Sequence, residues 1–151
     1  MTEEYKKKIA QYYENAVVLE LEGGSGDGYS LFEVQNQKIR CFLPYWREEK
    51  WYDIKKHEKN MNLIGKVIKI SFSLFNRELE AVNIKKKEIL SEPEGEGCNP
   101  HRITGEITSQ IDDIYIIDCG VKISIPFNKG KKYNMGDYVQ AFGRLDAYKI
   151  E

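Results

Sequence analysis

Few residues in this chain have the types and spacing that chemistry requires. Cys98 and His101 form a C-x-x-H pair, a spacing that supplies two ligands to zinc. A structural zinc site needs four, and the one other histidine, His57, stands alone in Lys55-Lys56-His57-Glu58-Lys59. Gly23-Gly24-Ser25-Gly26-Asp27-Gly28 is as glycine-rich as a phosphate-cradling loop. However, no Lys-Ser/Thr follows it, and the next segment has the pattern of a strand rather than a helix. It reads as a hairpin loop. Asp112-Asp113 and Glu48-Glu49 are adjacent carboxylates, and neighbours on a strand face opposite ways. Histidine is the usual general base near neutral pH, and the chain has two. No nucleophile elbow or H-E-x-x-H helix is present. The expectation is a protein that is not an enzyme, with no catalytic residues, no cofactor and no metal.

Two other groups of residues suit binding. Tyr45, Trp46, Arg47, Trp51 and Tyr52 lie together in a charge-dense segment, and Trp, Tyr and Arg are the side chains enriched at protein–protein hot spots. They form the expected protein-binding surface. The same tryptophans would serve equally well as an apolar plug. Tyr29, Phe32, Lys38, Arg40, Lys66 and Lys69 combine rings for base stacking with cations that track a phosphate backbone, which is the alternative. Lys38, Arg40 and Phe42 fall at i, i+2, i+4 and so share one strand face.

Charge weighs against the alternative. The 151 residues hold 23 Lys+Arg against 24 Asp+Glu, a net charge of -1. Residues 1–88 carry 16 basic against 14 acidic groups, and residues 89–151 carry 7 against 10. Neither part is basic enough for strong, salt-sensitive phosphate binding. At 41% hydrophobic the chain can build a core, and no stretch approaches the roughly 20 apolar residues of a membrane span. Three scattered cysteines (Cys41, Cys98, Cys119) and an opening Met1-Thr2-Glu3-Glu4 without a signal pattern predict a cytoplasmic protein, of the kind found as a small bacterial protein.

The elements that must position these groups are mostly strands. Thr2–Asn15, with Tyr5, Ile9, Tyr12 and Tyr13 on one side, predicts an amphipathic helix. The period then changes to two. Strands are expected at 16–22, 29–35, 38–43 and 62–75, with Asn36-Gln37 as a hairpin turn and Asn76-Arg77 turning the chain into a return strand at 78–85. The segment Tyr45–Met61, between the third and fourth strands, predicts a short helix whose apolar side is Trp46, Trp51 and Ile54. Glu92-Pro93-Glu94-Gly95-Glu96-Gly97 reads as an exposed acidic linker. Beyond it, 102–111, 114–118, 121–127 and 138–142 are short β runs, and 145–150 a fifth.

Both blocks therefore run strand, strand, strand, connection, strand, strand. Met135-Gly136-Asp137-Tyr138-Val139-Gln140-Ala141-Phe142-Gly143-Arg144-Leu145 resembles the G-D-x-V-x-(V/A)-x-G-x-L phrase common in OB-fold domains, with a weaker echo in Ile64-Gly65-Lys66-Val67-Ile68-Lys69-Ile70. The chain resembles a tandem of two OB-like five-stranded barrels. The resemblance implies a mainly β fold with an N-terminal helix and barrel over 1–88, a linker over 89–101 and a shorter barrel over 102–151, packed together because 50 residues are marginal alone. The profile fits a protein-binding role, as an immunity protein against a toxin, an inhibitor or an adaptor within a larger assembly. Weak single-stranded DNA or RNA binding is the alternative. No membrane is expected, and the state is a monomer or, through an exposed strand edge, a homodimer.

Overall fold

Alternation of apolar and polar side chains dominates the chain, and it folds mainly as strands. The computed structural model describes residues 3–23, 27–46, 49, 51, 63–91, 100–127 and 132–150. Among these, one helix, α1 (Glu3–Ile9), precedes β1 (Glu14–Gly23), β2 (Gly28–Val34), β3 (Gln37–Leu43), β4 (Val67–Ala81), β5 (Glu88–Ser91), β6 (His101–Ile111), β7 (Ile114–Asp118), β8 (Lys122–Pro126) and β9 (Tyr138–Ile150). The nine strands form one sheet in the order β1-β2-β3-β9-β4-β8-β7-β6-β5. The helix expected between the third and fourth strands lies almost wholly outside the described residues.

Additional pairings β1–β4 and β9–β6 bend this sheet back on itself twice. One circuit runs β1-β2-β3-β9-β4 and returns to β1; the other runs β9-β6-β7-β8-β4 and returns to β9. Both use β4 and β9, which pair antiparallel along twelve residue pairs from Lys69↔Ile150 to Ala81↔Val139. Two expectations are corrected here. Asn76-Arg77 does not turn the chain: β4 runs straight through, and a register shift between Asn76 and Glu78 absorbs the irregularity as a bulge. Likewise 138–142 and 145–150 are one strand, because Gly143 is held on one side by Asn76 and on the other by His101. β5 lies at the edge of the expected linker and pairs with β6.

The internal repeat is visible in the geometry. Gly65 and Gly136 both take positive φ, 84° and 91°, as the turn before each long strand requires. Gly65 N–H donates to Val18 O and Gly136 N–H to Ile107 O, at 2.7 and 2.8 Å. In return Val18 N–H donates to Lys66 O and Ile107 N–H to Asp137 O, at 3.0 and 2.9 Å. A register shift follows each acceptor, between Val18 and Glu20 and between Ile107 and Ser109. The offset that separates Gly65 from Gly136 also separates Leu74 from Leu145, and these two leucines pair with each other. A pseudo-twofold axis thus passes through a fully buried leucine pair.

One continuous core fills both circuits, from Val18, Phe32 and Leu43 through Leu74 and Leu145 to Ile107, Ile117 and Ile123. A second, smaller cluster lies on the outer side of the sheet, where Ile9 of α1 packs on Ile114, Ile116 and Tyr148. Ser71 Oγ donates to Ile9 O at 2.9 Å, and the Tyr5 and Ser73 hydroxyls lie 2.7 Å apart. The helix is shorter than the expected Thr2–Asn15 because Glu14 and Asn15 are drawn into the ladder opposite Ile70 and Lys69.

Trp46, just past β3, closes the end of the first hairpin. Gly23 and Gly28 pair at the hairpin mouth, and a Cβ at either would collide with the Trp46 indole. Gly28→Ala should therefore cost about 1–3 kcal/mol by overpacking. Urea denaturation checks this, and an unchanged midpoint would show that the indole is not held in the slot.

Candidate interaction surface

The residues proposed for protein binding separate. Trp46 and Trp51 are 2% and 0% exposed and belong to the core. Trp51 packs against Phe32 at 6.1 Å. This corrects their expected surface role: the glycine slot and the core offer more apolar contact than solvent-facing positions could. Tyr45 is half-buried, 5.8 Å from the Tyr148 ring, with Lys6 Nζ 4.7 Å from its own. Arg47 and Tyr52 lie outside the described residues, as do His57 and Cys98.

The nucleic-acid set divides as well. Phe32 is core. Lys38 and Arg40 lie on the outward side of β3 with Phe42, and Tyr29 meets Phe42 edge-on at 5.7 Å. Lys66, just before β4, and Lys69, within it, are exposed, Lys69 lying 4.9 Å from the Tyr13 ring. Arg40 pairs with Glu20 at 3.3 Å, and Glu33 stands directly opposite Lys38.

A different constellation forms where β3, β9 and β4 meet. Phe42 lies opposite Asp146 in the single parallel contact between β3 and β9, and Arg144 lies opposite Phe75 in the β4–β9 ladder. Arg144 Nε and Nη2 donate to Asp146 Oδ1 and Oδ2 at 2.7 and 3.0 Å. The guanidinium sits 4.1 Å from the Phe42 ring centroid and 5.3 Å from that of Phe75. It is fixed by charge-assisted hydrogen bonds along one edge and by aromatic rings on two sides. Phe75 is 56% exposed, an unusual position for a ring in a strand. Beside it opens a cleft of about 230 Å³ lined by Pro44, Tyr45, Phe75, Arg144, Asp146 and Tyr148.

Arg144, Asp146 and Phe75 were not among the sequence candidates. The available signal was weak: Arg144 and Asp146 stand two apart in a strand and so share a face, and Phe75 abuts a segment that reads as a turn.

The electrostatics suit recognition. Burial raises the Asp146 carboxyl above its ordinary range, against the pull of Arg144. The bonds to Asp146 hold Arg144 still more firmly protonated. Burial raises the Tyr148 hydroxyl too, with the Asp146 charge adding to it. Burial also pushes the Cys119 thiol up to about 12, so it stays protonated and unreactive. Among the described residues no group of three or more His, Cys, Asp or Glu could hold a metal ion. No helix there is long and apolar enough to cross a membrane. Comparison with family models, with curated proteins and with solved structures finds no match.

The Asp146 shift has a definite sign. A carboxyl raised in the native state binds a proton there before the unfolded chain does, so its contribution to stability grows as pH falls toward the ordinary carboxylate value of about 3.9. Denaturation of the parent and of Asp146→Asn from pH 8 to pH 4 should show the stability difference shifting toward the parent on acidification. A constant or opposite difference would remove the buried-carboxylate assignment.

Proposed function

We propose that this chain is a non-enzymatic cytoplasmic binding protein that acts by contact with another protein, in an inhibitor, immunity or adaptor role. The observation that carries this reading is Phe75, an exposed ring flanking an immobilised arginine, with Tyr29, Phe42 and Tyr45 continuing the aromatic surface. Aromatic and arginine side chains held rigid at a surface give up little conformational entropy on association. Each five-strand circuit is read as an OB-like barrel, and the closed pairings β1–β4 and β9–β6 support that reading. A partner would then bridge residues from the first barrel and from β9, whose other half completes the second.

A second reading uses the same rings to stack single-stranded bases. The outward set Lys38, Arg40 and Phe42 on β3 favours it. Glu20 and Glu33, placed against Arg40 and Lys38, oppose the phosphates that would have to follow. Protein contact is therefore preferred.

Phe75→Ala tests both. The ring is mostly solvent-exposed but flanks Arg144, so the change in stability should stay within about 1 kcal/mol. Cross-linking in the native cytoplasm should yield a defined protein adduct with the parent and not with the variant. Fluorescence anisotropy with labelled oligo-dT and oligo-rU at low salt should show no binding. An adduct unaffected by Phe75→Ala overturns the proposed surface, and tight oligonucleotide binding lost in the variant selects the second reading.

A further inference from the structure

We infer that the cleft beside Arg144 is a receptor for a carboxylate of the partner protein, the side chain of an Asp or Glu next to an apolar residue. The inference rests on the protein-contact reading above and names the chemistry that surface recognises.

A guanidinium carries five N–H donors in a planar fork. Asp146 takes the Nε and Nη2 donors on one edge. The end-on pair, one hydrogen from each terminal nitrogen, has the geometry that takes a second carboxylate bidentately. Arg144 lines the cleft, and Phe42 and Phe75 prevent its rotation, so the fork is preorganised.

The charges are layered with the cations outermost. In the Arg144–Asp146 pair the arginine side chain is 41% exposed and the aspartate 0%. The same order holds in the neighbouring pair, where Lys6 lies 3.2 Å from Glu49 and is the more exposed partner. Lys6 stands behind Tyr45, which forms the cleft wall, so within the cleft Arg144 is the cation that a ligand meets. One exposed acid, Asp27, adds a weaker electrostatic hold on the Arg144 charge. Pro44, Tyr45, Phe75 and Tyr148 supply apolar walls, and about 230 Å³ accommodates a carboxylate with one small apolar neighbour. A partner lysine or arginine would face Arg144 at close range, and like charges disfavour it.

The test is NMR titration of the whole chain with acetyl-Leu-Glu-amide, with acetyl-Leu-Gln-amide as the uncharged control, and with inorganic phosphate. Saturable shifts of Arg144 Nε–H and of the Phe75 and Tyr45 amides are expected with the Glu peptide alone. Arg144→Lys, which keeps a cation beside Asp146, should weaken binding about tenfold by loss of the fork. Asp27→Asn leaves the Arg144–Asp146 pair intact and should tighten binding about two- to threefold by removing a negative charge that repels the incoming carboxylate. Equal shifts with the Glu and Gln peptides, no change in either variant, or binding of phosphate without the carboxylate would each overturn the inference. The last result would point to a phosphate-bearing partner. The two readings fail separately. A protein adduct that survives Arg144→Lys but not Phe75→Ala keeps the surface and removes the carboxylate receptor. An adduct indifferent to both, with the Glu peptide still bound at Arg144, does the reverse.

Discussion

Everything in this fold hangs on the antiparallel ladder between β4 and β9. Each strand is long enough to serve two circuits, its first half in one and its second half in the other. Neither circuit closes with its own strands: the first needs β9, through Asp146, and the second needs β4, through Phe72 and Ser73. The remaining closures are slight, a single residue pair between β3 and β9 and two between β4 and β8. A unit of some 50 residues buries too little surface to stand alone, and sharing two strands lets both halves draw on one core. The buried Leu74–Leu145 pair at the pseudo-twofold axis is where the two halves become one.

The candidate surface is a product of the same ladder. Arg144 and Phe75 face each other across it, and Phe42 arrives only through the lone β3–β9 contact. Asp146 is buried there because α1 and the Tyr45 segment cover the outward side of β9, where a strand residue would otherwise be wet. The cost of a buried carboxylate is met by a bidentate partner, and that partner's remaining donors are what the surface presents. The anchored donors and the exposed ones are therefore two edges of one guanidinium.

Local pattern was readable where neighbours in sequence are neighbours in space. Residues 67–72 alternate and form the start of β4; the hairpin turn expected at Asn36-Gln37 falls one residue earlier, at Gln35 and Asn36 with φ of 50° and 63°, and Asp112, with φ of 51°, makes the turn after β6. The Gly136-Asp137 phrase and its echo at Gly65 marked equivalent turns. What sequence concealed was set by distant partners. Asn76-Arg77 reads as a turn, yet the pairing of β4 with a strand more than sixty residues on carries the chain through it. Trp46 and Trp51 read equally as surface or plug, and the slot between Gly23 and Gly28 decides. Phe42, Phe75 and Arg144 belong to three separate strands, so no spacing along the chain announces their meeting.

Sharing β9 also imposes an order on synthesis. Strands β1 to β3 can form their meander from local contacts, but the circuit around Phe32 and Phe72 stays open until β9 is made, its contact Asp146 lying more than a hundred residues after Phe42. Until then the apolar side of β1 to β3 lacks the strand that covers it. Closure by contacts of such sequence separation is slow and leaves strand edges exposed meanwhile. The aromatic surface around Arg144 comes into being only once β9 is in place, since β9 carries Arg144 and brings Phe42 and Phe75 to it.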